Sequence, residues 1–344
     1  MKVFFRADGN SRIGWGHVMR SISIACAYSG NGDECFFVCA DDSMAEIIHS
    51  YGFELYNLNS DYKSMDKELP AFFEIINREK PGLIFFDSYF VDYDYLEKFQ
   101  HLCKTAYIDD LYSLPYPVSY LINYNIYASE ERYINLYKNY KIPHMLLNIK
   151  YAPLRKEFQG IIRGYSESIK HVFVSVGGSD EFGLALKFIK CLEKENEFVG
   201  SRSFHFILGN FEPDREEIIQ LSNKYEWICI HEKVKNMSDL MCKCDIAISA
   251  AGSTLYELCA CKVPTVSYVM VDNQIDVARG FLDNELILYA GDIRDNSYSV
   301  DNIINCFNKL CNDGKKRHKL FNRMRDYVDG RGAERIVDAL TIEH

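Results

Sequence analysis

Short apolar runs alternate along the chain with stretches of helical period. Residues 2–5 read as a buried strand, and the pattern resumes as a helix near Gly16, with Val18, Ile22, Ala25 and Cys26 on one face. Residues 34–40 form a second apolar run, followed by a helix over 43–51. Helical period returns over 65–80, Pro81-Gly82 interrupts it, and 83–87 is a strand ending on the carboxylate of Asp87. A helix over 93–102 precedes a strand over 105–108, which runs into Asp109 and Asp110 and repeats the strand-then-acid theme. Residues 120–123 are a further short strand, whereas 123–150 are Tyr-rich and weakly periodic. The alternation restarts with strands at 171–176, 204–208, 227–230, 245–249 and 265–268, with helices between them and a helical tail from about residue 300.

Strands alternating with helices predict an α/β chain with parallel sheets covered on both faces. The break in the alternation predicts two doubly wound, Rossmann-like domains, 1–150 and 164–344, joined by a crossover at 151–163 and facing a cleft. Ligands of such sheets sit at the carboxyl ends of the strands. The 344 residues are enough for two cores.

Charge and composition narrow the function. A net charge of -10 argues against nucleic-acid or membrane-surface binding, which needs clustered Lys and Arg, but leaves room for a local anion pocket. No run approaches the ~20 apolar residues of a membrane span, and the opening residues lead into a strand rather than a signal peptide. The twelve cysteines lie in apolar runs without disulfide-scaffold spacing, which fits a reducing cytoplasm and small buried hydrophobes. Cys242-Lys-Cys244 and Cys259-Ala-Cys261 lack the spacing and the nearby histidine of a zinc site, so no metal or other cofactor is expected. The oligomeric state is not legible.

Three strand-to-helix loops carry the candidate chemistry. The first, residues 6–20, is rich in Gly, Asn and Ser and places His17 on the first turn of a helix. There the helix dipole disfavours imidazolium, and a neutral ring is what a general base requires. Arg20, one turn on, could meet phosphate or pair with an acid. The second loop, Val176-Gly177-Gly178-Ser179-Asp180, lets backbone approach a ligand closely. The third runs from Ser249 through Gly252, Ser253 and Thr254 to Glu257; Ser253 is placed to cap the helix and Glu257 projects one turn further on. Backbone donors for a diphosphate with a carboxylate for a ribose diol make a nucleotide site. Each loop alone is equally an ordinary strand–helix turn. The pair Asp92-Tyr-Asp94 starts a helix, where acidic residues complement the dipole. The other histidines read as structural or surface residues.

Ile13-Gly14-x-Gly16-His17, Gly177-Gly178-Ser179-Asp180, Tyr151-Ala-Pro-Leu-Arg155-x-Glu157-Phe158 and Ser249-Ala-x-x-Ser253 with Glu257 occur in this order. Together they resemble the UDP-sugar hydrolases of pseudaminic acid biosynthesis, a nonulosonic acid of bacterial surface glycans. The resemblance covers about residues 1–290. It implies a GT-B-like fold, similar to the glycosyltransferase that makes lipid II. The implied reaction is hydrolysis of UDP-2,4-diacetamido-2,4,6-trideoxy-β-L-altrose, with inversion at the anomeric carbon, to UDP and free sugar. It further implies that His17 binds or deprotonates the attacking water, and that Asp87 and Tyr89 belong to an Asp-His-Tyr motif on the sugar side. Gly14, Gly16, Arg20, Asp109 and Tyr256 are expected near the substrate. Gly177, Gly178, Ser179, Ser249, Gly252, Ser253, Thr254 and Glu257 are expected around UDP.

Two positions depart from the family pattern. Ser88 stands where the motif has its histidine, and Tyr256 where an asparagine precedes the glutamate. Serine hydrogen-bonds but is no base near neutral pH without help. Two alternatives to hydrolysis therefore stay open: a GT-B glycosyltransferase using a UDP-sugar and an acceptor other than water, and a UDP-sugar-binding protein without turnover.

Overall fold

The computed structural model describes residues 1–10, 13–177, 180, 182–194, 199–209, 213–295 and 300–341. They form two compact units, Met1–Lys156 with Arg331–His344, and Glu157–Gly330.

The first unit contains β1 (Lys2–Ala7), α1 (Gly16–Gly30), β2 (Glu34–Cys39), α2 (Ala45–Ser50), β3 (Glu54–Asn57), α3 (Leu69–Glu79), β4 (Leu83–Asp87), α4 (Tyr93–Glu97), β5 (Lys104–Ile108), β6 (Tyr120–Asn123), α5 (Glu130–Leu136) and β7 (His144–Leu147). Its seven strands are all parallel, in the order β3-β2-β1-β4-β5-β6-β7. Successive residues of a strand point to opposite faces, so adjacent phenylalanines serve different layers. Phe5 stacks between Phe37 and Phe85 on one face, at 5.3 and 4.9 Å. Phe4 and Phe86 pack on the other with Phe72 and Phe99. Both faces are thus buried, as the continuous apolar strands require.

The second unit contains β8 (His171–Ser175), α6 (Leu184–Lys194), β9 (Ser203–Ile207), α7 (Arg215–Lys224), β10 (Ile228–His231), α8 (Met237–Lys243), β11 (Ile246–Ala250), α9 (Thr254–Ala260), β12 (Thr265–Val269), α10 (Ile275–Asp283), β13 (Ile287–Asp292), α11 (Val300–Asn312) and α12 (Gly314–Met324). Its six-stranded parallel sheet has the order β10-β9-β8-β11-β12-β13. In both sheets the strand order reverses once, between β1 and β4 and between β8 and β11. Those switch points are where doubly wound sheets open a crevice for ligands.

The tail departs from expectation. Helices α11 and α12 stay with the second unit, but the last helix, α13 (Gly332–Thr341), belongs to the first. Its apolar residues Ala333, Ile336, Val337 and Leu340 are buried, and it packs against α1. Periodicity predicts the helix but cannot name the surface that covers it. The return needs glycine: a Cβ on Gly332 would lie 2.1 Å from the Ala152 carbonyl oxygen, and one on Gly330 2.2 Å from that of Phe158.

Among the described residues, no helix is long and apolar enough to cross a membrane.

Candidate active site

The chemistry of the first unit gathers at the switch point between β1 and β4. Below it, the fully buried Arg6 guanidinium bonds both oxygens of Glu68, at 2.7 and 2.8 Å, and Asp8 at 2.6 Å. Asp8 also accepts from the Ala40 N–H. This buried network fixes the end of β1, where the chain leaves the sheet. Asn10 and Gly14 then exchange backbone hydrogen bonds of 3.2 and 2.9 Å, and Gly14 takes a left-handed φ of 74° to close the loop. Gly16 starts α1, delivering His17 to a buried position, 7 % exposed, on its first turn.

Asp87, the last residue of β4, meets His17 there: Nδ1 lies 2.6 Å from Asp87 Oδ1. Arg20, one turn later, clamps the same carboxylate with Nε at 2.6 Å from Oδ2 and Nη2 at 2.5 Å from Oδ1. Burial pushes the Asp87 carboxyl up, but the Arg20 guanidinium and His17 outweigh it and bring it down to about 2. An ionised carboxylate can only accept hydrogen bonds. The short contact therefore places the proton of a neutral His17 ring on Nδ1 and the lone pair on Nε2, although Arg20 Nη2 also lies 3.1 Å from Nδ1.

Arg20 extends the network outward. Its Nη1 donates to both oxygens of Asp110, at 3.1 and 2.8 Å, and to the Tyr124 hydroxyl at 2.9 Å. Tyr89 donates to Asp110 at 3.0 Å, Asn125 does so at 2.8 Å, and the Tyr89 ring meets the His17 ring edge-on at 4.5 Å. Trp15, Tyr89, Phe90 and Leu111 are each about two-fifths exposed, a set of large apolar side chains in the loops after β1, β4 and β5. Arg20 therefore bridges two acids, Asp87 and Asp110.

Tyr124 and Asn125 carry no sequence signal of their own, whereas Asp110 belongs to the strand-then-acid pattern after β5. Asp110 joins the cluster from the end of β5, and Tyr124 and Asn125 join it from the end of β6. Asp109, expected near the substrate, is fully buried. Its carboxylate accepts from the Leu111 and Tyr112 N–H groups and from the Tyr133 hydroxyl, which fixes the turn instead. The Ser88 Oγ accepts from the Phe90 N–H at 3.2 Å, shaping its own loop. Asp92 caps α4 by accepting from the Tyr95 N–H, as its place at a helix start suggests.

In the second unit, Gly177 follows β8 with a left-handed φ of 94°, open to solvent. Gly178 and Ser179 lie outside the described residues. Asp180 accepts from the Leu184 and Ala185 N–H groups, both at 2.8 Å, so a carboxylate already occupies the start of α6. The start of α9 differs. Ser253 has helical φ and ψ of -57° and -28° and makes no side-chain cap, contrary to the capping expected of it, because its backbone is already inside the turn. It is exposed, Gly252, Thr254 and Glu257 are half-buried, and the Gln274 amide comes up against Gly252. Gln274 was not singled out by the sequence. Ser249 and Tyr256 are buried: the Ser249 hydroxyl donates to the Ala250 carbonyl, and Tyr256 packs edge-on against Phe281 at 5.2 Å. Their side chains thus serve the core rather than an open ligand surface.

Three of the remaining histidines form a ladder across neighbouring strands. His171 and His205 lie 3.0 Å apart, and His205 and His231 2.9 Å apart, nitrogen to nitrogen. Burial, then the two flanking rings, push His205 down to about 4.

Comparison with known proteins bears on the fold. A family model described as CDP-glycerol:poly(glycerophosphate) glycerophosphotransferase matches residues 199–342. The chain is 25% identical over 290 residues to an uncharacterized protein, MJ1062, of Methanocaldococcus jannaschii, covering 80% of this chain and 56% of that one. It is 26% identical over 286 residues to a UDP-2,4-diacetamido-2,4,6-trideoxy-beta-L-altropyranose hydrolase of Campylobacter jejuni, covering 81% and 95%. The chain therefore spans about half the length of the first relative and nearly all of the second. Among solved structures, MurG of Acinetobacter baumannii superposes with a TM-score of 0.71 at 11% identity, over 99% of both chains. Two Rossmann-like parallel-sheet units and this likeness give the chain the GT-B fold.

Proposed function

We propose that this chain is an enzyme that hydrolyses a UDP-linked diacetamido-trideoxy sugar, releasing UDP and the free sugar. The observation that carries the reading is the Asp87–His17 pair at the β1/β4 switch point, held by the Arg20 clamp. The 26% identity to the hydrolase over nearly its whole length supports the choice of substrate class.

In the proposed step a water attacks the anomeric carbon while the carbon–oxygen bond to UDP breaks on the opposite face, so the configuration inverts. His17 Nε2 takes the water proton. Asp87 holds the ring in the required tautomer and stabilises the imidazolium that forms. Water, UDP-sugar and a proton acceptor balance as UDP, free sugar and protonated His17. Ser88, bonded within its own loop, supplies no second base, so the reading rests on one histidine.

The first unit supplies the hydrolytic chemistry in this proposal, and the second holds the nucleotide. Gly177, Gly252, Ser253, Thr254 and Glu257 serve UDP, with Glu257 on the ribose. The start of α9 suits the diphosphate better than that of α6, where Asp180 already takes two N–H donors and would repel a second anion.

The test is incubation with the UDP-sugar and no other acceptor. UDP should appear, and His17→Ala should slow its release by about 10²–10⁴-fold, the usual contribution of a positioned base. One observation favours a second reading, transfer to an alcohol acceptor: the transferase family model matches residues 199–342. Turnover only when such an acceptor is added would establish that reading and exclude the first.

A further inference from the structure

The second unit carries a row of histidines that the proposed chemistry does not use. His171 opens β8, His205 lies in β9, and His231 closes β10, the edge strand of the sheet. In the register of these parallel strands, His205 stands opposite Phe173 and Cys229, and His231 opposite Ile207. Alternate residues of a strand share a face, so the three rings lie on one face along a diagonal. The intervening Val172, Phe204 and Ile228 belong to the core on the other face. Each pair of rings is in hydrogen-bond contact: His171 Nδ1 with His205 Nε2 at 3.0 Å, and His205 Nδ1 with His231 Nε2 at 2.9 Å. All three residues are half-buried.

Such a bond needs a proton on one nitrogen and a lone pair on the other. Two imidazolium rings side by side would set N–H against N–H, so charging both members of a pair breaks their bond. The surroundings oppose even the first charge. Burial is the largest influence on His205, followed by His231, His171 and Lys243, the last residue of α8, and together they bring it down to about 4. Burial and then Lys243 lower His231 as well. Asp245, just after α8, accepts from the Lys170 and His171 backbone N–H groups at 2.8 and 3.0 Å. Cys229, beside His205 on β10, is pushed up by burial and stays a neutral thiol.

We propose that His171, His205 and His231 form an acid-sensitive latch: as neutral rings they tie β9 and the edge strand β10 to β8, and proton uptake by the row releases the two outer strands. An edge strand is supported from one side only, so β10 has no second neighbour to hold it once the latch opens. A histidine lowered by folding contributes its full stabilisation above the ordinary value of 6.5 and loses it as pH falls through the folded value, here about 4. That window lies above the one set by the Asp87 carboxyl of the first unit, which is held at about 2. The latch does not depend on the reaction proposed above.

The test uses the whole chain and no substrate. Amide hydrogen exchange is followed from about pH 7 to about pH 4.5 and corrected for the intrinsic effect of pH on exchange. Protection in β9 and β10 should fall by about tenfold, less than the full linkage value because the rings are half exposed, while β11 and β12 keep theirs. His205→Phe suits a strand and takes up no proton, so in this variant the fall should shrink to about twofold or less. Loss of protection shared equally by β11 and β12, or no loss in β9 and β10, would overturn the proposal. So would a fall of undiminished size in His205→Phe. The first two outcomes are read on the unaltered protein, so misfolding of the variant cannot rescue it.

Discussion

Asp87 is the residue on which the candidate site turns, since it touches His17 and Arg20 at once. Asp87→Asn preserves shape but replaces a pure acceptor with a group that also donates. The amide can then drive the proton off Nδ1 and onto Nε2, removing the lone pair from the side that needs it. Turnover should fall by about 10²-fold or more, with the fold kept, measured as UDP release beside a thermal unfolding curve. The same carboxylate makes an acid-stability prediction. Its folded-state value, about 2, lies below the ordinary 3.8, so on acidification the unfolded chain takes up the proton first. The resulting stabilisation is fully present above about pH 4, is lost as pH falls toward 2, and is on the order of 2–3 kcal/mol. Urea unfolding across that range should show the loss, and Asp87→Asn should flatten it. At this scale the sequence was informative where local position carries meaning. His17 stands out on a helix start and Asp87 at a strand end. Tyr124 and Asn125 do not, because only the sheet brings them to Arg20 and Asp110. Asp109 and Asp110 illustrate the difficulty: neighbours in sequence, they point one into a buried turn and the other into the cluster.

The central strands of both sheets are legible as continuous apolar runs, and β4 matches its expected span of 83–87. Three strands were not read: β3, β7 and β13, with sequences ELYN, HMLL and ILYAGD. All three are edge strands, and their burial patterns are mixed rather than continuous. An edge strand is supported from one side only, so its sequence need not be apolar throughout. The helices α1 and α13 raise a related point. Each is predictable alone, but their pairing, which closes the chain back onto its first unit, depends on backbone proximity at Gly332. Gly332→Ala should force Ala152 or the helix start to move. Overpacking of this kind costs about 1–3 kcal/mol. Hydrogen exchange should show weakened protection in residues 332–341 and in α1, while the second unit stays unchanged. Equal loss of protection throughout the chain would contradict a local role for this glycine.

For the whole molecule, the two-unit α/β architecture was readable from the strand–helix alternation, whereas the assignment of the tail was not. The account divides labour between the units, and that division can be tested. Glu257→Ala should weaken binding of UDP and raise KM by about tenfold, the loss of one charge-assisted hydrogen bond, with kcat nearly unchanged. His17→Ala should do the reverse, sparing UDP affinity while lowering kcat by about 10²–10⁴-fold; calorimetry with UDP separates the two. The central claim is that water is the acceptor and that the bond broken is between carbon and oxygen. It is tested most directly by mass spectrometry of the products of a UDP-diacetamido-trideoxy sugar in heavy-oxygen water, with no other acceptor added. The account predicts one labelled oxygen in the free sugar, none in UDP, and product formed about 10²–10⁴-fold more slowly by His17→Ala. Label in the UDP phosphate, or release undiminished in the His17 variant, would contradict it.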